Sequence, residues 1–154
     1  MRRCACVTVC LLVAAIGCSK SGSAKTGGAQ ASAPITEADV KTAMTEYVNR
    51  TQGFYPGKAK SVEILSGVLE PSEQFFQKNP NYGRNSVACY VLIQCEPKPG
   101  QDKGAKFEHL VVVVRDQGKL NVPIQISGTP PILRETFGDE WVNKHPRPAA
   151  PKDP

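Results

Sequence analysis

Phe107-Glu-His-Leu-Val-Val-Val-Val-Arg-Asp-Gln-Gly-Lys-Leu-Asn-Val122 is the stretch whose reading decides the fold. Its first half is rich in β-branched side chains, which suit a pleated, packed strand better than a helix. From Lys106 to Arg115 both alternating sets are apolar. Phe107, Val111 and Val113 share one face with His109, while Leu110, Val112 and Val114 share the other with Glu108. A strand apolar on both faces is expected to be covered on both sides. Asp116-Gln117-Gly118-Lys119 then makes a tight turn. Beyond it Leu120, Val122, Ile124 and Ile126 alternate with Asn121, Pro123, Gln125 and Ser127, the pattern of a strand with one wet face. Pro123 has no N–H to give to a ladder, which favours an edge or a bulge at that position.

Two more strands precede this hairpin. Val87–Cys95 reads as one, joined to it by the polar connection Glu96–Gly104, and Val62–Leu69 reads as another, ended by Pro71. Between them Ser72–Arg84 is an excursion, with Phe75 and Phe76 as apolar anchors and Asn79-Pro80-Asn81 and Gly83 as turn residues. Further back, Thr36 can cap a helix, with Asp39 three positions on and Glu37 favouring the dipole. Ile35 and Val40 fit a hydrophobic staple. Val40, Ala43, Met44, Tyr47 and Val48 then form one apolar stripe at helical spacing, and Gly53 is expected to stop the helix. A short C-terminal helix around Phe137–Trp141 is expected to dock Trp141 on the core.

These elements predict an α+β fold over residues 34–144. Its N-terminal helix packs on a curved four-stranded antiparallel sheet, and a short C-terminal helix completes the domain. The element order, with a valine-rich strand, a Gly-containing turn and a final strand, resembles the cystatin-like group and its nuclear-transport-factor-like relatives. That resemblance implies a sheet curved around the helix. The single clear N-terminal helix departs from the cone-shaped members, and no family site residue maps onto this chain.

The two ends read differently. Arg2 and Arg3 precede an uncharged run from Cys4 to Gly17. The run fits the roughly 7–15 residues of a signal-peptide core and falls short of the ~18 that span a bilayer. Ala15-Ile16-Gly17-Cys18 resembles the lipobox of bacterial lipoproteins, with Ala15 where that pattern prefers Leu. The resemblance implies a leader over 1–17, a diacylglyceryl group on the Cys18 thiol, and Cys18 as first mature residue. One acyl chain holds a protein only marginally, whereas two or three on one residue make a lasting anchor. Ordinary secretion with a free Cys18 thiol is the competing reading. The Arg pair lacks the Thr-rich context of a twin-arginine signal. Residues 18–33 are small and polar and cannot help bury a core, so they read as a flexible tether of about 20 Å. Residues 145–154 are Pro-rich and read as a disordered tail.

Removing the leader lowers the formal charge from +5 by two, to a weak basic bias spread along the chain without a Lys/Arg run. That argues against a nucleic-acid footprint, which needs a clustered patch. Cys4, Cys6 and Cys10 leave with the leader. Cys89 and Cys95 then remain on one strand face, roughly 20 Å apart at strand rise, so no disulfide is expected between them. They read as buried small hydrophobes. No metal-ligand spacing is present and no cofactor is implied.

A search for catalytic motifs finds no nucleophile elbow, no phosphate-binding glycine loop and no zinc-helix motif. His109 is the one weak catalytic candidate, as a proton shuttle in a sheet concavity; a satisfied histidine near a strand end is the plainer reading. Among Tyr47, Phe54, Tyr55, Phe75, Phe76, Tyr82 and Tyr90, most are expected in the core. Phe75, Phe76 and Tyr82 are the partner-binding candidates, because adjacent Phe75 and Phe76 point apart and one ring is expected to stay partly exposed. The function these features favour is an envelope lipoprotein, held to a membrane through Cys18, that binds a partner protein or a small apolar ligand. A small cone-fold enzyme using His109, and a structural or assembly role, are the alternatives.

Overall fold

The computed structural model describes residues 33–51, 53–127 and 129–149. The expected leader, Cys18 and nearly all of the tether lie outside the described residues. No helix among the described residues is long and apolar enough to cross a membrane.

The chain is α+β. Helix α1 (Glu37–Arg50) starts where Thr36 was expected to cap it. The Thr36 Oγ1 accepts from the Asp39 N–H at 3.2 Å and the Asp39 carboxylate accepts from the Thr36 N–H at 2.9 Å, so two otherwise orphaned donors are satisfied. That backbone hydrogen bond from Thr36, with help from Arg115, holds the Asp39 carboxyl below its ordinary range. Ile35 and Val40 are both buried, as the staple requires. The helix ends at Arg50 with Thr51 as its cap, and Gly53 takes φ +113° in the turn that follows.

Four antiparallel strands form an open meander in the order β1 (Ala59–Ile64), β2 (Ser86–Cys95), β3 (Lys106–Asp116) and β4 (Lys119–Ser127). Pairs such as Cys89 with Val111 and Val91 with His109 fix the register of the central strands. Strand β4 is an edge and also bulged. Between the pairs Val112–Ile124 and Val114–Asn121 it carries one extra residue, at the position of Pro123, so both expectations for that proline hold. The first strand lies earlier than expected. Its ladder stops at Ile64 because the Ser66 Oγ, at 3.0 Å, accepts from the Tyr90 N–H; Leu69 keeps only an isolated bridge to Ala88.

Cores lie on both faces of the sheet. On the α1 face Val40, Met44 and Val48 meet Cys89, Val91, Ile93, Val111 and Val113. The other face carries Ala88, Tyr90, Leu110, Val112 and Ile126 under three short helices: α2 (Glu73–Lys78), α3 (Pro130–Phe137) and α4 (Asp139–Lys144). Strand β3 is thus covered on both sides, which explains its unbroken apolar run. Burying each such side chain stabilises the fold by roughly 1.5–3 kcal/mol.

Two helical details correct the sequence reading. Within the excursion Ser72 caps α2, its Oγ accepting from the Phe75 N–H at 3.1 Å. At the other end, one expected helix is two, broken at Gly138, whose φ of +86° continues neither.

Candidate functional site

A cleft of about 600 Å³ lies between the segment Glu70–Gln74, which leads into α2, and the turn and helix from Phe137 to His145. Its walls follow from local sequence. Pro71 and Ser72 turn the chain into α2, and Gly138 swings α4 away from α3 so that Trp141 faces the sheet. The Trp141 Nε1–H donates to the Glu70 carbonyl at 2.9 Å, tying the two walls together. Phe137 and Trp141 stack at 4.4 Å, and His145 lies against the other side of Trp141 at 4.6 Å. The His145 Nδ1 is 2.9 Å from the Trp141 carbonyl. A carbonyl only accepts, so Nδ1 carries the proton and Nε2 is left for another partner.

The cleft is lined by charge, most of it paired. Glu70, Glu73, Asp139 and Glu140 line it against the single cation Lys144. Arg84 clamps Glu73 with both guanidinium nitrogens, one of them at 2.7 Å, and holds that carboxyl below its usual range. Lys144 binds Glu140 at 2.7 Å to the same effect, and Arg134 lies 3.4 Å from Asp139. These exposed pairs set orientation and sign of potential more than stability. Beside α4, the first tail residues cross the sheet: the Tyr90 hydroxyl donates to the His145 carbonyl at 3.3 Å and Arg147 pairs with Glu108.

The three aromatic candidates sit behind this cleft, not on a free surface. Phe75 is wholly buried and Phe76 is 9% exposed, which corrects the expectation that one ring stays out. The two rings do diverge, but each finds cover. Phe75 stacks on Phe137 at 5.5 Å and on Tyr82 at 6.0 Å, while the Arg84 guanidinium lies over the Phe76 ring at 4.6 Å. Tyr82 is half-buried against the same core. Together they seat α2, and so position one wall of the cleft.

His109 belongs to a different place. It is 5% exposed, between Phe107 and Tyr55 on the α1 face, at ring distances of 6.1 Å to each. Neither ring nitrogen makes a hydrogen bond of good geometry; burial lowers its pKa, and the backbone of Ile126 offsets part of that. The Tyr55 hydroxyl and the Gln125 Oε1 nearby are likewise buried without a partner. His109 lines neither the large cleft nor the smaller groove of about 250 Å³ by Tyr55 and Lys58. A neutral imidazole so enclosed is a base without access to a substrate.

Cys89 and Cys95 are buried free thiols on the α1 face, and burial pushes the Cys89 thiol up to about 11. Such thiols stay protonated and unreactive at neutral pH. Among the described residues no cluster of three His, Cys, Asp or Glu could hold a metal ion.

Sequence reasoning missed most of the cleft, since its residues are brought together by α2 and by the break at Gly138. The signals were Ser72-Glu73 ahead of Phe75, a capping pattern, and a glycine between Phe137 and Asp139. The chain matches no family model, no curated protein and no solved structure.

Proposed function

We propose that this chain is a non-catalytic binding protein, held at a bacterial membrane by lipids on Cys18, that takes a partner protein in the cleft between α2 and α4. The lipobox-like Ala15–Cys18 supports the anchor. The binding reading is carried by the cleft: an aromatic wall of Trp141 and His145 beneath a rim of four carboxylates. Of that wall Trp141 is 7% exposed, so the half-buried His145 ring stacked on it offers the aromatic surface a partner would meet. Glu70, the rim carboxylate outside the ion pairs with Arg84, Arg134 and Lys144, favours a partner segment that carries Lys or Arg beside an apolar residue. This places the partner site beside Phe75, Phe76 and Tyr82 instead of on them, and favours a protein segment over a small apolar ligand.

Photo-crosslinking in membranes tests this reading. A crosslinking amino acid at Gln74, on the cleft wall, should yield a discrete adduct with one other protein. The same group at Lys119, the first residue of β4, should not. Trp141→Phe with Glu70→Gln should reduce the Gln74 adduct severalfold. Equal adducts from both positions, or none from Gln74, would count against the cleft.

A further inference from the structure

Basic residues scattered through the sequence are gathered by the fold at one end of the sheet, where Phe54 is the most exposed large apolar side chain among the described residues. Phe54 is 67% exposed, with its ring edge-on to Tyr55 at 5.2 Å, and Tyr55 in turn meets Phe107 at 5.3 Å. The Glu96 N–H donates to the Lys58 carbonyl at 2.8 Å, fastening the segment 53–58 to the β2–β3 connection, whose ends are closed by the Cys95 N–H donating to the Ala105 carbonyl at 2.9 Å. Lys106 pairs across from Gln94, and the turn closed by Gln101 N–H to the Lys98 carbonyl holds the connection compact. Arg50, Lys58, Lys60, Lys98, Lys103 and Lys106 are therefore all exposed at this end, with only Glu96 and Asp102 as carboxylates within 50–60 and 95–106. Over residues 33–154 as a whole, 15 Lys and Arg stand against 14 Asp and Glu. Among the described residues, Arg50, Lys58, Lys60, Lys98 and Lys103 are held in no ion pair, unlike the cations at the cleft.

We infer that this basic end, with Phe54 at its centre, is the face that the domain sets against an anionic bilayer. A solvated surface does not need a two-thirds exposed phenyl ring. A duplex presents no open base face to a Phe on a turn, and a single strand is held by several aromatic rings along a cationic groove where this end exposes one. An aromatic among cations instead fits the headgroup region, where apolar insertion and attraction to anionic lipid add. The geometry of attachment allows it. Helix α1 is about 21 Å long, and residues 19–33 fully extended reach about 50 Å, enough to pass from the start of α1 to a bilayer lying beyond its other end.

The inference rests on the reading that the chain is held at a membrane, and its test needs no lipid on Cys18. The full chain carrying Phe54→Trp is mixed with vesicles of phosphatidylcholine alone, or of phosphatidylcholine with an equal share of phosphatidylglycerol, each with and without brominated acyl chains. Trp141 is the only native tryptophan and is buried, so the unaltered chain supplies the background. Emission added by Phe54→Trp should fall about twofold in brominated anionic vesicles, as insertion to the acyl boundary requires, and little in neutral ones. An Ile132→Trp variant, on exposed α3, should stay unquenched. Adding Lys58→Gln and Lys103→Gln to Phe54→Trp should remove the quenching, since each cation near the surface strengthens attachment roughly fivefold. Equal quenching at both positions, or none with Phe54→Trp, overturns the inference; so does binding to single-stranded or duplex nucleic acid without quenching in vesicles. Because Cys18 is unmodified in this assay, failure leaves the anchor to be judged separately.

Discussion

A buried imidazole without a hydrogen-bond partner makes folding depend on its protonation. Burial keeps the folded pKa of His109 below its ordinary value, while in the unfolded chain it titrates near about 6.5. As the pH falls through that value the unfolded chain takes up a proton that the folded chain does not, so stability is full above it and is lost below it. The lowered carboxyls of Asp39, Glu73 and Glu140 act in a separate window: their contribution is present above about 4.5 and is lost as the pH falls through their lower folded values. Urea unfolding at pH 7 and pH 5 should therefore show a loss toward pH 5 that a His109→Leu variant lacks. An identical loss in the variant would mean that the ring is solvated or paired in the folded chain. At this scale sequence reading had mixed reach. Six-residue spacing on one strand placed Cys89 and Cys95 on a common face. It could not show that the divergent rings of Phe75 and Phe76 would find separate covers in Phe137 and Arg84, because those lie far along the chain.

Gly138 illustrates what the short helices depend on. Its φ of +86° with ψ of 156° is a region that only glycine occupies readily, and an added Cβ would lie 2.3 Å from the Gln74 Oε1. Gly138→Ala should lower unfolding free energy by about 1–3 kcal/mol, measured by urea denaturation, a large share of a typical total of about 5–15 kcal/mol. An unchanged midpoint would show that α3 and α4 can be joined in another way. The long elements were legible in sequence because their signals are local. The capping box of α1, the two-faced apolar run of β3 and the placement of Pro123 at an edge bulge each follow from a few neighbouring residues. The short elements were not. Helix α2 has six residues, too few for a periodic stripe, and packing of Phe75 against Phe137 stabilises it more than any propensity does. Strand β1 was displaced because a serine hydroxyl, Ser66, takes over a carbonyl's place in the ladder.

Across the whole molecule, two regions treat charge differently: among the described residues, most cations at the Phe54 end are held in no ion pair and those at the cleft are matched. Six Lys and Arg that look scattered in sequence lie at the end that carries Phe54, while the carboxylates at the cleft, on the opposite face from α1, are mostly matched by Arg84, Arg134 and Lys144. Only the folded register, which brings residues 50–60 beside 95–106, makes the first of these visible; composition alone reads as a faint basic bias. In the proposed arrangement the basic, Phe-bearing end lies on a bilayer and the cleft receives a partner from solution. That arrangement presupposes lasting attachment, and the attachment rests on Cys18. The most direct measurement is the intact mass of the chain purified from the membrane fraction of a bacterial host, beside a Cys18→Ser variant. The mature protein should begin at Cys18 and carry the added mass of a diacylglyceryl group, and the variant should remain an uncleaved precursor or leave the membrane fraction. A mature chain that begins elsewhere, with a free Cys18 thiol or without Cys18, would contradict it.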